Sequence, residues 1–323
     1  MTHTPPFHAG GPPALPKAVW DPTRATGAPP ISERVARVMM AEGTKIFEQH
    51  IAKENHKPWL HQTPCGTSKE DAAKFMAIKP AATEHERSVN IKRGYLSLVG
   101  GVMFAMVFTR PDINFHASRC AKFMKDPSNS AYEAIINVVH YLYATRQLGI
   151  TYGPMRNDEP DYDGTRPRAW GDGSFGGRDE SSPQLGGYIE YNFGPLLWKS
   201  QANELKPLST CEQEVAAVVL MCKEGMFVMG LAEDFGLDLK DVLEVFTDSQ
   251  SARDSVVNQG ATKNSIHYER RLFYARELFL RRKIRITLVK TDMMRADDKT
   301  KVVHKAKFIY CRKMQMNLAD EVV

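Results

Sequence analysis

The sequence predicts an α/β protein: a mixed sheet of five strands flanked by helices, preceded by a small helical domain. Three observations carry this. From Arg168 onward, strand-like runs are interleaved with runs of helical spacing, in the order three strands, helix, strand, two helices, strand, helix. Before that, Glu86–Tyr152 shows helical spacing alone. Finally, 42% hydrophobic and 25% charged residues over 323 positions is the balance of a globular chain, long enough to bury a core without disulfide or metal staples.

The elements follow in order. Met1 to Pro30 holds eight of the nineteen prolines and buries too little apolar surface to order itself. Ile31–Ile51 reads as one helix, with Val35, Val38, Met39, Ile46 and Phe47 on a face. His61–Glu86 reads as loop, punctuated by Pro64, Gly66 and Pro80. Tyr95–Phe108 is apolar on nearly all sides, the pattern of a buried helix. Thr109-Arg110-Pro111-Asp112 breaks the chain and starts a second helix to about Met124, because Pro suits a first helical turn. Asp126–Ser130 supplies a turn with capping residues. Ala131–Gln147 then places Tyr132, Ile135, Ile136, Val139, Leu142 and Tyr143 at helical spacing, with Gly149 as a stop.

The polar stretch Asn157–Arg168 reads as a linker. After it, strands are expected at Arg168–Gly171, Gly187–Phe193, Leu196–Gln201, Leu243–Thr247 and Lys283–Lys290. Helices are expected at Thr210–Leu231, Ser249–Asn258 and Ser265–Arg282, with a last one from near Met293. These shifts divide the chain into a tail (1–30), a segment 31–85, a helical domain (86–153), a linker (154–165), a sheet-bearing domain (166–316) and a tail (317–323).

The net charge of +5 is modest but uneven. Between Ala261 and Lys313 sixteen Lys/Arg stand against five Asp/Glu. That excess favours a polyanionic partner over a merely solvated helix face. Five cysteines without a CxxC pair disfavour a disulfide framework or a zinc ribbon and fit a reduced compartment. No stretch is expected to supply the ~20 apolar residues of a membrane helix, so no membrane partner is expected.

Four carboxylates stand at strand ends and early helix turns: Asp172 in Asp172-Gly173-Ser174, Glu214 early in the long helix, Asp248 in Thr247-Asp248-Ser249-Gln250, and Asp297 opening the last helix. Any one of them alone is more simply a cap or a helix-dipole partner. Four together can converge at one sheet edge. Such a cluster suits hard divalent cations, which prefer oxygen ligands. Two ions about 3.5–4 Å apart can clamp a phosphodiester.

These residues resemble ribonuclease H, and the wider sequence resembles the polyprotein of copia-type LTR retrotransposons. Tyr95–Gly100 resembles the family's YRSLVG, and Thr109–Ile113 its TRPDI. Arg119–Pro127, His140–Thr145 and Leu148–Tyr152 continue the series. So do Gly187-Tyr188, Trp198-Lys199-Ser200, Leu208–Glu214 ("LSSTEAE"), Ser265–Glu277 and Arg295–Lys301 ("LADIFTK"). Ser174 stands where the family often has a second Asp. Neither His267 nor His304 stands where ribonucleases H often carry a mobile His.

The resemblance implies a ribonuclease H-like mixed five-stranded sheet behind a small helical thumb-like domain, with 31–85 as a remnant of the reverse transcriptase palm and linker. It implies a truncated polyprotein, since no Tyr-x-Asp-Asp motif is present. It implies that Asp172, Glu214, Asp248 and Asp297 hold two Mg²⁺ ions, Asp172 bridging both and Mn²⁺ a substitute, and that the RNA strand of RNA–DNA hybrids is hydrolysed. Ser174, Ser249, Gln250, Arg270, Arg271, Arg281 and Lys283 are expected to hold the nucleic acid, with palm and fingers supplied by another chain. The implied place is cytoplasmic, in a virus-like particle, with the nucleus as the alternative. A nucleic-acid-binding module without turnover remains the rival reading.

Overall fold

The computed structural model describes residues 62–154, 162–175, 182–204, 207–237, 242–258 and 269–319. The Pro-rich tail, the helix expected at Ile31–Ile51, most of the linker and His267 lie outside the described residues.

The sheet is mixed and five-stranded: β1 (Arg168–Ser174), β2 (Gln184–Tyr191), β3 (Gly194–Ala202), β4 (Leu243–Thr247) and β5 (Ile284–Leu288), in the order β3-β2-β1-β4-β5. β1, β2 and β3 pair antiparallel, while β4 and β5 run parallel to β1. This is the ribonuclease H-like arrangement that the resemblance implied.

Helices cover both faces. Among the described residues five precede the sheet: α1 (Lys69–Met76), α2 (Glu84–Lys92), α3 (Tyr95–Phe108), α4 (Asn114–Ala121) and α5 (Asn129–Ala144). Four are interleaved with it or follow it: α6 (Thr210–Asp234), α7 (Gln250–Val257), α8 (Glu269–Leu280) and α9 (Lys305–Met316). On one face α6, α7 and α8 close a core of Ile189, Val218, Met221, Leu243, Val245, Val256, Leu272 and Ile286. On the other face Trp170, Tyr188 and Phe246 pack with Met294 and Ala296.

Alternation along the strands sorts the faces. A Cβ on Gly173 would meet the Gln213 carbonyl oxygen at 2.6 Å, so α6 starts directly on β1. A Cβ on Gly186 would meet the Lys299 side chain at 2.5 Å from the other side.

The helical unit is not a separate appendage. Phe308 of α9 is buried in the cluster formed by Tyr95, Val99, Ile113, Phe115 and Ile135. Trp198 on β3 donates its indole N–H to the Met106 carbonyl at 2.7 Å. Arg110 and Asp112 form a buried ion pair at 2.7 Å. Burial alone would raise the Asp112 carboxyl, but the guanidinium overrides it and holds it down at about 2. Tyr141 also donates to Asp112, and Arg312 of α9 donates to the Tyr141 hydroxyl at 3.2 Å.

The structure corrects several expectations. The segment read as loop at His61–Glu86 contains α1, fixed by a Ser68–Asp71 capping box and the buried Phe75. Only one side of α3 is buried; Phe104, Val107 and Phe108 are exposed. The chain does hold a helix long and apolar enough to cross a membrane, namely α6, yet its apolar side chains Val215, Val218, Val219 and Met221 lie in the sheet core. No continuous helix runs from Met293. Two 3₁₀ turns, Thr291–Met293 and Asp297–Lys299, precede α9, because Arg295 between them is tied to Glu190 of the sheet and Lys299 to the Pro111 carbonyl of the helical unit. Asn317 and Leu318, assigned to a tail, are buried, and Asn317 donates to the Thr151 carbonyl at 3.1 Å.

The strongest such tie is Lys299, whose ammonium is fully buried. It donates to Asp298 Oδ2 and the Pro111 carbonyl, both at 2.8 Å, and to Gln315. Gln315 in turn donates to Asp298 Oδ1 at 2.7 Å. Lys299→Met leaves Asp298 buried without its cation and is expected to cost about 3–5 kcal/mol. Urea unfolding measures it as a lower midpoint, and Asp298→Asn in the same chain is expected to restore part of the loss.

Candidate functional site

Local sequence places each acid. Asp172 lies near the carboxyl end of β1, on the face away from α6. Asp248 directly follows β4, the parallel neighbour of β1, so both carboxyl ends meet. The Ser249 hydroxyl accepts from Ala252 N–H at 3.2 Å and starts α7 there. Glu214 comes from α6, which Ser209 caps by accepting from Glu212 N–H at 3.1 Å. Gln213 sets the register of α6 on the sheet: it donates to the Gln184 carbonyl at 2.6 Å and accepts from Asn203 at 2.8 Å.

Asp172, Glu214 and Asp248 each offer a carboxylate oxygen, and the three oxygens lie within 4.8 Å of one another. Asp172 is buried, Glu214 and Asp248 half-buried. Burial pushes the Glu214 carboxyl well above the ordinary range, and the charges of Asp172 and Asp248 push it further. Burial raises Asp172 as well; Lys301 pulls it back, and Asp297 and Asp248 push it up. Glu214 Oε2 is a buried oxygen with no hydrogen-bond partner.

The donor set therefore fits a hard divalent cation. It is all carboxylate oxygen, too close to remain fully ionised alone, and one buried oxygen has nothing to bind.

Asp297 lies outside this group of three. Its Oδ1 pairs with Lys301 at 2.7 Å and its Oδ2 with Lys307 at 3.0 Å. It opens a 3₁₀ turn rather than the last α-helix. Its neighbour Asp298 is committed to Lys299 and Gln315 and faces the helical unit. Lys301 also stands 3.6 Å from Asp172 Oδ2, and the Thr300 hydroxyl donates to that oxygen.

Reading the sequence placed Lys301 and Lys307 in a general basic patch. Their approach to the acids was missed, although the i,i+4 spacing of Asp297 and Lys301 was a usable sign.

The residues expected to hold nucleic acid are scattered. Ser174 ends β1, half-buried, beside Asp172. Ser249 serves as a cap, and Gln250 donates to Asp254 at 2.7 Å. Arg271 lies near the start of α8; the Arg270 side chain lies outside the described residues. Arg281 and Lys283 are not beside the acids. Lys283 adjoins the start of β5, where its carbonyl accepts from Leu243 N–H at 3.0 Å. β4 and β5 run parallel, so this is the far end of the strands from Asp248, about 16 Å away at roughly 3.3 Å per residue. Arg281 is exposed there and pairs with Glu277 at 2.7 Å. A run of charge in sequence was cut in two by a helix that returns along the sheet.

Sheet order and acid group together define a mixed five-stranded α/β chain with a candidate metal centre. No protein-family model matches it. It is 27% identical over 287 residues, 88% of its length, to the retrovirus-related Pol polyprotein from transposon TNT 1-94 of Nicotiana tabacum. It is 23% identical over 72% of its length to that from transposon RE2 of Arabidopsis thaliana. It is also 29% identical over 42% of its length to secreted RxLR effector protein 161 of Plasmopara viticola, of which the match covers 90%. Among solved structures, RNase H1 from the archaeon Halobacterium salinarum NRC-1 matches 42% of this chain and 94% of its own, at 21% identity and a TM-score of 0.32.

Over most of its length the chain is thus similar to retrovirus-related Pol polyproteins of copia-type transposons. It spans 21% of the tobacco polyprotein's length and 16% of the RE2 one.

The raised carboxyls have a pH consequence. The folded chain keeps their protons to higher pH than the unfolded chain does. The stability they contribute is complete below about pH 4, the ordinary carboxylate value, and is lost as pH rises through the folded values. In chelator, Glu214→Gln is expected to melt above the parent, by a margin that widens from pH 5 to pH 9. Saturating Mg²⁺ should stabilise the parent more than the variant. Thermal melting across that range checks both.

Proposed function

We propose that this chain is a hydrolase that cleaves the RNA strand of RNA–DNA hybrids, with Mg²⁺ held by Asp172, Glu214 and Asp248. The observation that carries this is the three-carboxylate group at the joined ends of β1 and β4, with a buried Glu214 oxygen left open. The relatives' identity as Pol polyproteins supports a nucleic-acid substrate.

When bound, the divalent ion supplies charge for the phosphoryl oxygens and lowers the pKa of a water that attacks phosphorus. The chain's own residues do the rest. Asp172 is held by the Thr300 hydroxyl, which fixes the direction of its free oxygen. Ser174, at the end of the same strand, is placed to meet the nucleic-acid backbone. Arg271, near the start of α8, adds positive charge toward the phosphates. A hybrid is read through backbone and 2′-hydroxyls rather than base sequence, so no base-reading groups are needed. The products carry 5′-phosphate and 3′-hydroxyl ends. The reaction belongs to the setting of a Pol polyprotein, in a cytoplasmic particle.

The test is cleavage of a strand-labelled RNA–DNA hybrid in Mg²⁺, with duplex DNA as control. Only the RNA strand should be cut. Asp248→Asn should lower the rate at least about 100-fold, since a lost ligand removes several kcal/mol of charge stabilisation. Hybrid binding without cleavage by the parent chain would instead favour the binding-module reading.

A further inference from the structure

The chain's fourth acid is already occupied. Both Asp297 oxygens carry lysine ammonium groups, Lys301 on one and Lys307 on the other. Lys307 is fixed in turn by donating to the carbonyls of Thr291 at 2.9 Å and Asp292 at 2.8 Å. Lys301 is aimed inward, 2.7 Å from Asp297 and 3.6 Å from Asp172. Its side chain is 43% exposed, so it lies at the rim of the acid group.

The charges can be counted. Asp172, Glu214, Asp248 and Asp297 carry four negative charges when ionised. Lys301 and Lys307 supply two positive ones from within the chain. One divalent ion balances the remainder. Two divalent ions would leave the site positive and would set one of them against the Lys301 ammonium.

We propose that Lys301, held over Asp172 by Asp297, takes the position of a second divalent ion, so that this chain binds a single ion between Asp172, Glu214 and Asp248. Asp297 is then a positioning residue for Lys301 and not a metal ligand. The lysine presents a fixed positive charge to the substrate phosphodiester beside the bound ion. This rests on the metal-dependent reading above and deepens it.

The experiment is a stoichiometry. Metal-stripped full-length chain is titrated with Mn²⁺, and bound ion is counted from the loss of the free-ion electron paramagnetic resonance signal. The parent is expected to bind one ion, Lys301→Arg one, and Lys301→Gln two. Asp297→Asn is expected still to bind at least one ion, because no ligand of that ion is lost, with affinity lowered only by the loss of one nearby negative charge. Thermal melting of each variant in chelator confirms that it is folded before it is counted.

Two ions on the parent overturn the inference and leave the nuclease reading standing. One ion on both the parent and Lys301→Gln also overturns it, since the lysine would then exclude nothing. Loss of an ion in Asp297→Asn overturns it by making Asp297 a ligand. No ion on any form overturns the inference and the metal-dependent reading together.

Discussion

Carboxylates cannot be gathered at the end of a sheet, half out of water, without positive charge to meet them. That constraint organises this chain. Asp172 is nearly sealed from solvent, and Glu214 and Asp248 press on it from a helix and from the next strand. Asp172 and Glu214 hold their protons more tightly there, because burial and like charge both disfavour ionisation. The structure answers from one direction only. The segment 295–307 passes under the sheet and brings Thr300 and Lys301 to Asp172, and Lys307 to Asp297. The remaining side, at Glu214 Oε2, is met by no hydrogen-bond donor.

That segment can do this only because something holds it. It is irregular, and 3₁₀ turns are weak elements by themselves. Its rigidity comes from outside. Lys299, one residue from Thr300, is locked between Pro111, Asp298 and Gln315. Arg295 reaches Glu190 on β2 at 3.2 Å, and the Arg168 guanidinium on β1 meets the same carboxylate at 3.0 Å. The helical unit therefore supports the site mechanically. Pro111 belongs to the Thr-Arg-Pro-Asp segment, and its carbonyl is a partner of the lysine that positions the acid-bearing turn. The helices before the sheet and the chemistry at its edge are joined by one buried ammonium.

Most of the sheet was legible in the sequence because its determinants are local. Leu243–Thr247 is a β-branched and aromatic run with turn residues on both sides, and its bounds came out unchanged. Gly194-Pro195 marked the hairpin to within two residues: the turn itself is Asn192-Phe193, and Gly194 and Pro195 already pair with Tyr191 and Glu190 as the start of β3. The first three acids were legible because strand ends and early helix turns are visible as pattern. What failed was whatever depended on partners far along the chain. The 291–300 region looked helical by composition, but its side chains bond to residues over a hundred positions away, and tertiary contacts overrode propensity. The capping box at Ser68 was a local signal and could have shown α1; proline and glycine punctuation on either side hid it.

The basic run shows the same limit in its electrostatic form. Sixteen cationic residues in one stretch suggest one patch only if the stretch stays together in space. Here α8 runs back along β5, so its start faces the acid end of the sheet and its end, with Arg281 and Lys283, faces the opposite one. Lys299 is spent entirely inside the protein, and Lys301 and Lys307 are turned onto carboxylates. The charge left to meet a polyanion is thus divided between two ends about 16 Å apart. A single duplex can use both ends only if its axis follows the strand direction, passing from the three acids along α8. Charge that reads as one block in sequence becomes, in the fold, a constraint on the direction of approach.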